Sequence, residues 1–149
     1  MKNGFTLLEL LVTIGIVGVL AAIAFPSFKE TIKKNRLTTQ VNEFTGSLNY
    51  AKSEAIKRGN NVTFNAAASG WSGGWTINDS NNTLIRTYPA LTSNTLSSTN
   101  NYSSFTFNNR GFINNSDTLD LCYASGETGR QITITATGQT RINSGYTCP

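Results

Sequence analysis

From Phe5 to Phe25 the chain carries a single charged residue, Glu9, in an otherwise uncharged run. At about 1.5 Å per residue, that run as a helix spans roughly 31 Å, the thickness of a bilayer core. Lys2 and Gly4 come just before it. A membrane-length segment with a carboxylate near its start is the feature that any account of this chain has to accommodate.

A cleaved secretory signal is one alternative. Such signals have a short apolar core and a small-x-small cleavage site, which Ala21-Ala22-Ile23-Ala24 imitates. The run here is longer, its charged leader is very short, and a glutamate is foreign to a signal core. An ordinary membrane anchor leaves Glu9 unexplained. Pro26 follows the run; it removes a helix hydrogen bond and predicts a kink near the membrane surface. Gly15 and Gly18 each weaken the helix by about 1 kcal/mol relative to alanine. They suit either local melting or close packing against another helix.

Helical periodicity continues beyond the apolar run. Leu37, Val41, Phe44, Leu48, Ala51 and Ala55 form one apolar stripe that needs a partner. Lys33, Lys34 and Arg36 make a basic cluster that either meets lipid phosphates or is solvated. Lys57 and Arg58 suit a helix C-terminus, and Gly59 suits the cap after it. The expected helix therefore runs from the start of the apolar segment to Arg58.

After Asn60 the pattern changes to short strands and turns. Strands are expected at 61–64, 75–77, 84–88, 104–107, 118–123 and 131–135. Turns are expected at Ser69-Gly70, Gly73-Gly74, Asn78-Asp79, Arg110-Gly111 and Thr128-Gly129. Residues 91–101, rich in Ser, Thr and Asn, read as a mobile loop. The 149 residues allow one domain with a real core. The fold class is α+β: a long N-terminal helix packed on an antiparallel β-sheet.

Composition narrows the function. The balance of 12 Lys+Arg against 8 Asp+Glu gives +4, too mild to specify a partner. The absence of histidine excludes Ser-His and Cys-His nucleophile pairs and histidine metal sites. Two cysteines are too few for a zinc-finger set. Asp117 and Asp120 are expected at turn or strand-edge positions rather than as an acid–base pair. The reading is of a non-enzyme with no cofactor and no metal.

The segment Gly4-Phe5-Thr6-Leu7-Leu8-Glu9 resembles the processing site of type IV pilins and type II secretion pseudopilins. The short leader, Gly-Phe junction, glutamate offset, apolar run and Pro26 all agree with that family. The resemblance implies that a prepilin peptidase cuts after Gly4 and methylates the new amino terminus at Phe5. It implies that Glu9 pairs with the Phe5 amine of a neighbouring subunit and sets axial register. The local alternative is a pair with its own Phe5 amine, worth a few tenths of a kcal/mol.

"SGWSGGWTI" (69–77), "SEAIKRGNNVTF" (53–64), "FNNRGFI" (107–113) and "ITITATGQTRI" (132–142) resemble segments of the GspH/FimT group of minor pilins and pseudopilins. The implied architecture is the type IV pilin fold. Residues 1–4 are leader, 5–28 the transmembrane and assembly half of the helix, 29–58 its amphipathic half, and 59–149 a β-rich periplasmic domain. Trp71 and Trp75 are expected in the core. Cys122 and Cys148 are expected to form a disulfide, because the domain would lie outside the inner membrane.

The implied function is that of a minor pilin in the initiating complex or tip of a pilus. Its partners would be prepilin peptidase, other major and minor pilins, and the inner membrane. Two variants accompany it. Some FimT-type pilins bind double-stranded DNA through Gly-Arg-x-Arg; the segment here is Gly138-Gln139-Thr140-Arg141, with the first arginine replaced. The candidate DNA contacts are Arg141, Arg130 and Arg110. The other variant is a type II secretion pseudopilin.

Overall fold

The computed structural model describes Gly4 and residues 6–149, leaving aside the side chains at 23, 24, 26 and 27. Helix α1 spans Leu7–Arg58. Eight strands follow: β1 Val62–Ala67, β2 Gly70–Asn78, β3 Leu84–Tyr88, β4 Thr95–Ser98, β5 Ser104–Phe107, β6 Asp117–Cys122, β7 Arg130–Ile134 and β8 Thr140–Asn143. The chain divides into two compact units, Met1–Arg36 and Leu37–Pro149.

In the first unit, α1 presents apolar side chains to its surroundings on every face. Leu7, Leu8, Leu11, Val17 and Leu20 are each more than 60% exposed. Glycines 15 and 18 stay helical, and a Cβ on either would meet nothing within 4 Å. The helical assignment continues through position 26; a kink there would rest on side chains outside the described ones. Among the described residues, no helix is long and apolar enough to cross a membrane. The apolar stretch with described side chains stops at Ala22, so the span expected to Phe25 draws on residues outside that description. At the unit's far end Lys29 lies 4.7 Å from the Phe25 ring, and Lys34 pairs with Glu30 at 3.7 Å.

In the second unit the helix buries the expected stripe. Leu37, Val41, Phe44, Leu48, Ala51 and Ala55 are all core residues. Two four-stranded antiparallel sheets receive them, with strand orders β3-β2-β1-β5 and β4-β6-β7-β8. Alternation places Val62 and Phe64, Phe105 and Phe107, Leu119 and Leu121, and Ile132 and Ile134 inward. Phe44 carries the helix into an aromatic cluster, edge-on to Phe64, Trp71 and Trp75 at 5.5, 5.7 and 5.1 Å. Such pairs add about 0.5–1.5 kcal/mol each beyond their buried area. Both tryptophans are core residues, and the Trp71 indole N–H donates to the Tyr102 carbonyl at 2.7 Å. The helix closes at Gly59, which takes the left-handed conformation at φ 67°.

Four sequence expectations need correction. Gly73-Gly74 is no turn: it lies inside β2, where residues 71–74 bulge away from β1. A Cβ on Gly74 would meet the Tyr88 carbonyl at 2.5 Å, so only glycine fits. Within that bulge the Ser72 hydroxyl accepts from Leu96 N and donates to Leu96 O, stitching the two sheets together. The stretch 91–101 is no mobile loop, since it contains β4. Its strand pairs with β6, Leu96 is buried, and the Asn94 amide donates to Gln40 Oε1 at 2.5 Å. These tertiary partners override a composition that reads as loop.

The turn expected at Thr128-Gly129 falls instead at Ser125-Gly126, with Gly126 at φ 77°. Thr128 already bridges Thr147, because the C-terminal tail is tied alongside. Asp117 and Asp120 are not at turn or edge positions; both belong to β6, which runs between β4 and β7. Asp117 is buried and accepts from Ser98 Oγ at 2.5 Å and from Asn100 Nδ2 at 2.8 Å. Asp120 accepts from Gln131 Nε2 at 3.0 Å and from the Tyr146 hydroxyl at 2.8 Å, which raises the tyrosine's pKa.

Candidate assembly site and charged surface

The helix start is built from three residues. Thr6 stands just before α1, and its hydroxyl accepts from the Glu9 amide at 3.3 Å. Its carbonyl accepts from the Leu10 amide at 3.2 Å, the first turn of the ladder. Thr6 is thus the N-cap and Glu9 the third helical residue, the Thr-x-x-Glu arrangement of a capping box. The carboxylate therefore sits where the helix dipole favours negative charge. It is exposed, in a first turn flanked by exposed Leu7, Leu8 and Leu10. Gly4 is exposed, and a Cβ there would meet nothing within 4 Å. Phe5 itself lies outside the described residues.

This cap was readable in the sequence from Thr6-x-x-Glu9 alone.

At the other end of the helix, Glu54 is buried and joins Arg58 at 2.7 Å and Lys57 at 3.7 Å. The hydrogen bond from Arg58 holds the Glu54 carboxyl below its ordinary pKa. Asp79, in the β2–β3 turn, accepts from the amides of Thr83 and Asn81 at 2.8 and 2.9 Å, which lower its pKa too.

The three candidate DNA contacts occupy separate places. Arg141 is exposed in β8 and pairs across to Thr133, on the outward face of its sheet. Asp120 shares that face, since it pairs with Gln131 and Gln131 with Asn143. Arg130 begins β7 in phase with inward-facing Ile132 and Ile134, on the opposite face from Arg141. Its Nη1 donates to the Gly129 and Ser144 carbonyls, each at 3.0 Å. Arg110 is exposed in the turn after β5, its amide donating to Asn108 Oδ1 at 2.9 Å. Sheet geometry thus parts Arg130 from Arg141. Lys52, on α1, has a role the sequence did not suggest: its Nζ donates to the Thr137 carbonyl at 2.8 Å and fixes the β7–β8 hairpin.

The Cys122–Cys148 disulfide is formed, with Cα atoms 5.9 Å apart. Gly129 packs against it, and a Cβ there would lie 2.4 Å from Cys148 Sγ. Among the described residues there is no cluster of His, Cys, Asp or Glu able to hold a metal ion.

The prokaryotic N-terminal methylation motif matches residues 1–25, and the model of the Type II transport protein GspH matches residues 40–138. The chain belongs to the GspH family. Among solved structures, this GspH-family chain is similar in fold to the type IV minor pilin FimU of Pseudomonas aeruginosa strain PAO1. The TM-score is 0.68 and the identity 20%, covering 78% of this chain and 95% of that one. A second crystal form gives 0.64 and 21%, covering 75% and 96%.

Curated relatives are similar over shorter stretches. A fimbrial protein of Pseudomonas aeruginosa is 35% identical over 65 residues, 44% of this chain and 42% of that protein. Fimbrial protein Q of Moraxella bovis is 48% identical over 42 residues, 28% and 27% of the two chains. Prepilin peptidase-dependent protein D of Escherichia coli K12 is 42% identical over 43 residues, 29% and 30%. The chain spans less than half the length of these relatives. The GspH-family chain thus has the type IV pilin fold, a long helix on an antiparallel β domain.

Proposed function

We propose that this chain is a minor type IV pilin. It is inserted in the inner membrane with its β domain in the periplasm, cut after Gly4 by a prepilin peptidase and methylated at Phe5. It then joins other major and minor pilins in the initiating complex or tip of a pilus. The observation that carries this reading is the first half of α1, whose large apolar side chains are exposed on every face behind a single capped carboxylate, Glu9. In lipid, acyl chains cover such a surface; in a fibre, neighbouring helices do. A carboxylate taken out of water among those helices is costly without a cation. The amine that cleavage creates on a neighbouring Phe5 supplies one.

The methylation motif and the pilin fold support the same reading, and both belong to structural rather than catalytic proteins. DNA binding has less support, because Arg130 and Arg141 lie on opposite sheet faces and Asp120 shares the face of Arg141. Imaging of tagged subunits on surface pili tests the proposal. Label at pilus ends is the expected result. Label confined to the envelope, with a loss of protein secretion on deletion, would favour a type II secretion pseudopilin instead.

A further inference from the structure

Strand β8 is an edge of the sheet β4-β6-β7-β8 and, among the described residues, has no strand beyond it. Its hairpin closes with Gly138 N donating to Thr135 O at 2.8 Å and Thr135 N donating to Gln139 O at 2.9 Å. Antiparallel pairs alternate between bonded and non-bonded from such a closing pair. Thr133 and Arg141 are therefore a bonded pair, while Ile134 with Thr140 and Ile132 with Ile142 are not. The N–H and C=O groups of Thr140 and Ile142 consequently point to the open edge.

Two of the other three edge strands, β4 and β5, are treated differently. Ser72 occupies the edge of β4 at Leu96, and Asn114 bonds the edge of β5 at Thr106, with Asn114 N to Thr106 O at 3.0 Å and Thr106 N to Asn114 Oδ1 at 2.8 Å. On β8, Ile142 lies beside buried Ile132 yet remains 48% exposed, so the inward face is left uncovered where the sheet stops. Arg141, on the outward face, has no ion-pair partner among the described residues.

We infer that β8 accepts an extended strand from a different subunit, one with apolar residues flanking a carboxylate set opposite Arg141. The inference rests on the assembly reading for the partner being another pilin. Backbone groups at Thr140 and Ile142 supply the bonds, Ile142 the apolar contact and Arg141 the selection by charge. A second copy is disfavoured as the occupant. The antiparallel register that uses both Thr140 and Ile142 sets Arg141 opposite Arg141, and like charges directly opposite destabilise a pair.

The test uses the full chain in detergent micelles and two end-blocked synthetic peptides, Thr-Val-Glu-Val-Thr and Thr-Val-Lys-Val-Thr, read by residue-resolved amide hydrogen exchange. In the free chain Thr140 and Ile142 amides should exchange fast and Arg141 and Asn143 amides slowly. The glutamate peptide should protect Thr140 and Ile142, binding about fivefold tighter than the lysine peptide. Arg141→Glu should reverse that order. Ile142→Pro removes an N–H outside the ladder, so it should keep the slow Arg141 and Asn143 amides yet bind neither peptide. Protection of Thr140 and Ile142 by neither peptide, or a preference that survives Arg141→Glu, would overturn the inference. Failure of the assembly reading would show elsewhere, as retention of residues 1–4 or absence from pili.

Discussion

In the proposed assembly Glu9 has two partners. One is local, the helix dipole that Thr6 helps to terminate; the other is the amine of a neighbouring subunit. The two roles separate by substitution. Thr6→Ala should weaken the helix start by about 1 kcal/mol, measured as helicity lost in micelles, because one amide loses its acceptor. Glu9→Ala should leave insertion and cleavage intact, yet reduce the fraction recovered in sheared pili well below wild type. Normal incorporation of that variant would confine Glu9 to the local role. Glu54 gives a residue-scale pH dependence. Its folded pKa is depressed by Arg58, so its contribution is present above the ordinary carboxyl range and is lost as pH falls through the folded value. Thermal melts should therefore show stability falling below about pH 4, with a smaller fall in Glu54→Gln.

The elements that were legible in the sequence are those whose own residues alternate or repeat. The Leu37-to-Ala55 stripe and β5 repeat in this way, while β3, whose burial does not alternate, was marked by β-branched and aromatic residues between turn signals. What was not legible depended on partners far along the chain. Thr95-Leu96-Ser97-Ser98 has one apolar residue, and becomes a strand because β6 and Ser72 receive its backbone. Gly73-Gly74 reads as a turn locally and becomes a bulge because Pro89 and Tyr88 crowd it. For the charged candidates, the sequence gives spacing, but the side of a sheet on which Arg130 falls depends on register.

The tail is the element most open to test. The disulfide spans 26 positions and anchors a segment also held by the Tyr146 hydroxyl on Asp120 and by backbone bonds such as Cys148 N to Glu127 O at 3.0 Å. Replacing both cysteines by serine should cost roughly 3.5 kcal/mol in denaturant unfolding. Thiol labelling of the native chain should find neither Cys122 nor Cys148 reactive before reduction.

At the scale of the whole molecule, two proposed functions compete for one fold: assembly through the helix and DNA capture through the β domain. The separation of the arginines predicts weak DNA binding with a shallow salt slope, because few phosphate contacts are made at once and each adds about one unit to that slope. A titration of the full chain with duplex DNA at low and physiological salt checks this. Arg141→Gln should weaken the binding and reduce its salt slope by about one unit. The assembly claim is tested most directly by mass spectrometry of sheared surface pili. The predicted result is an N-terminal peptide of this chain that begins at N-methylated Phe5, present in pili and lost when the prepilin peptidase is inactivated. A chain absent from pili, or one that retains residues 1–4 or begins near Phe25, would contradict it.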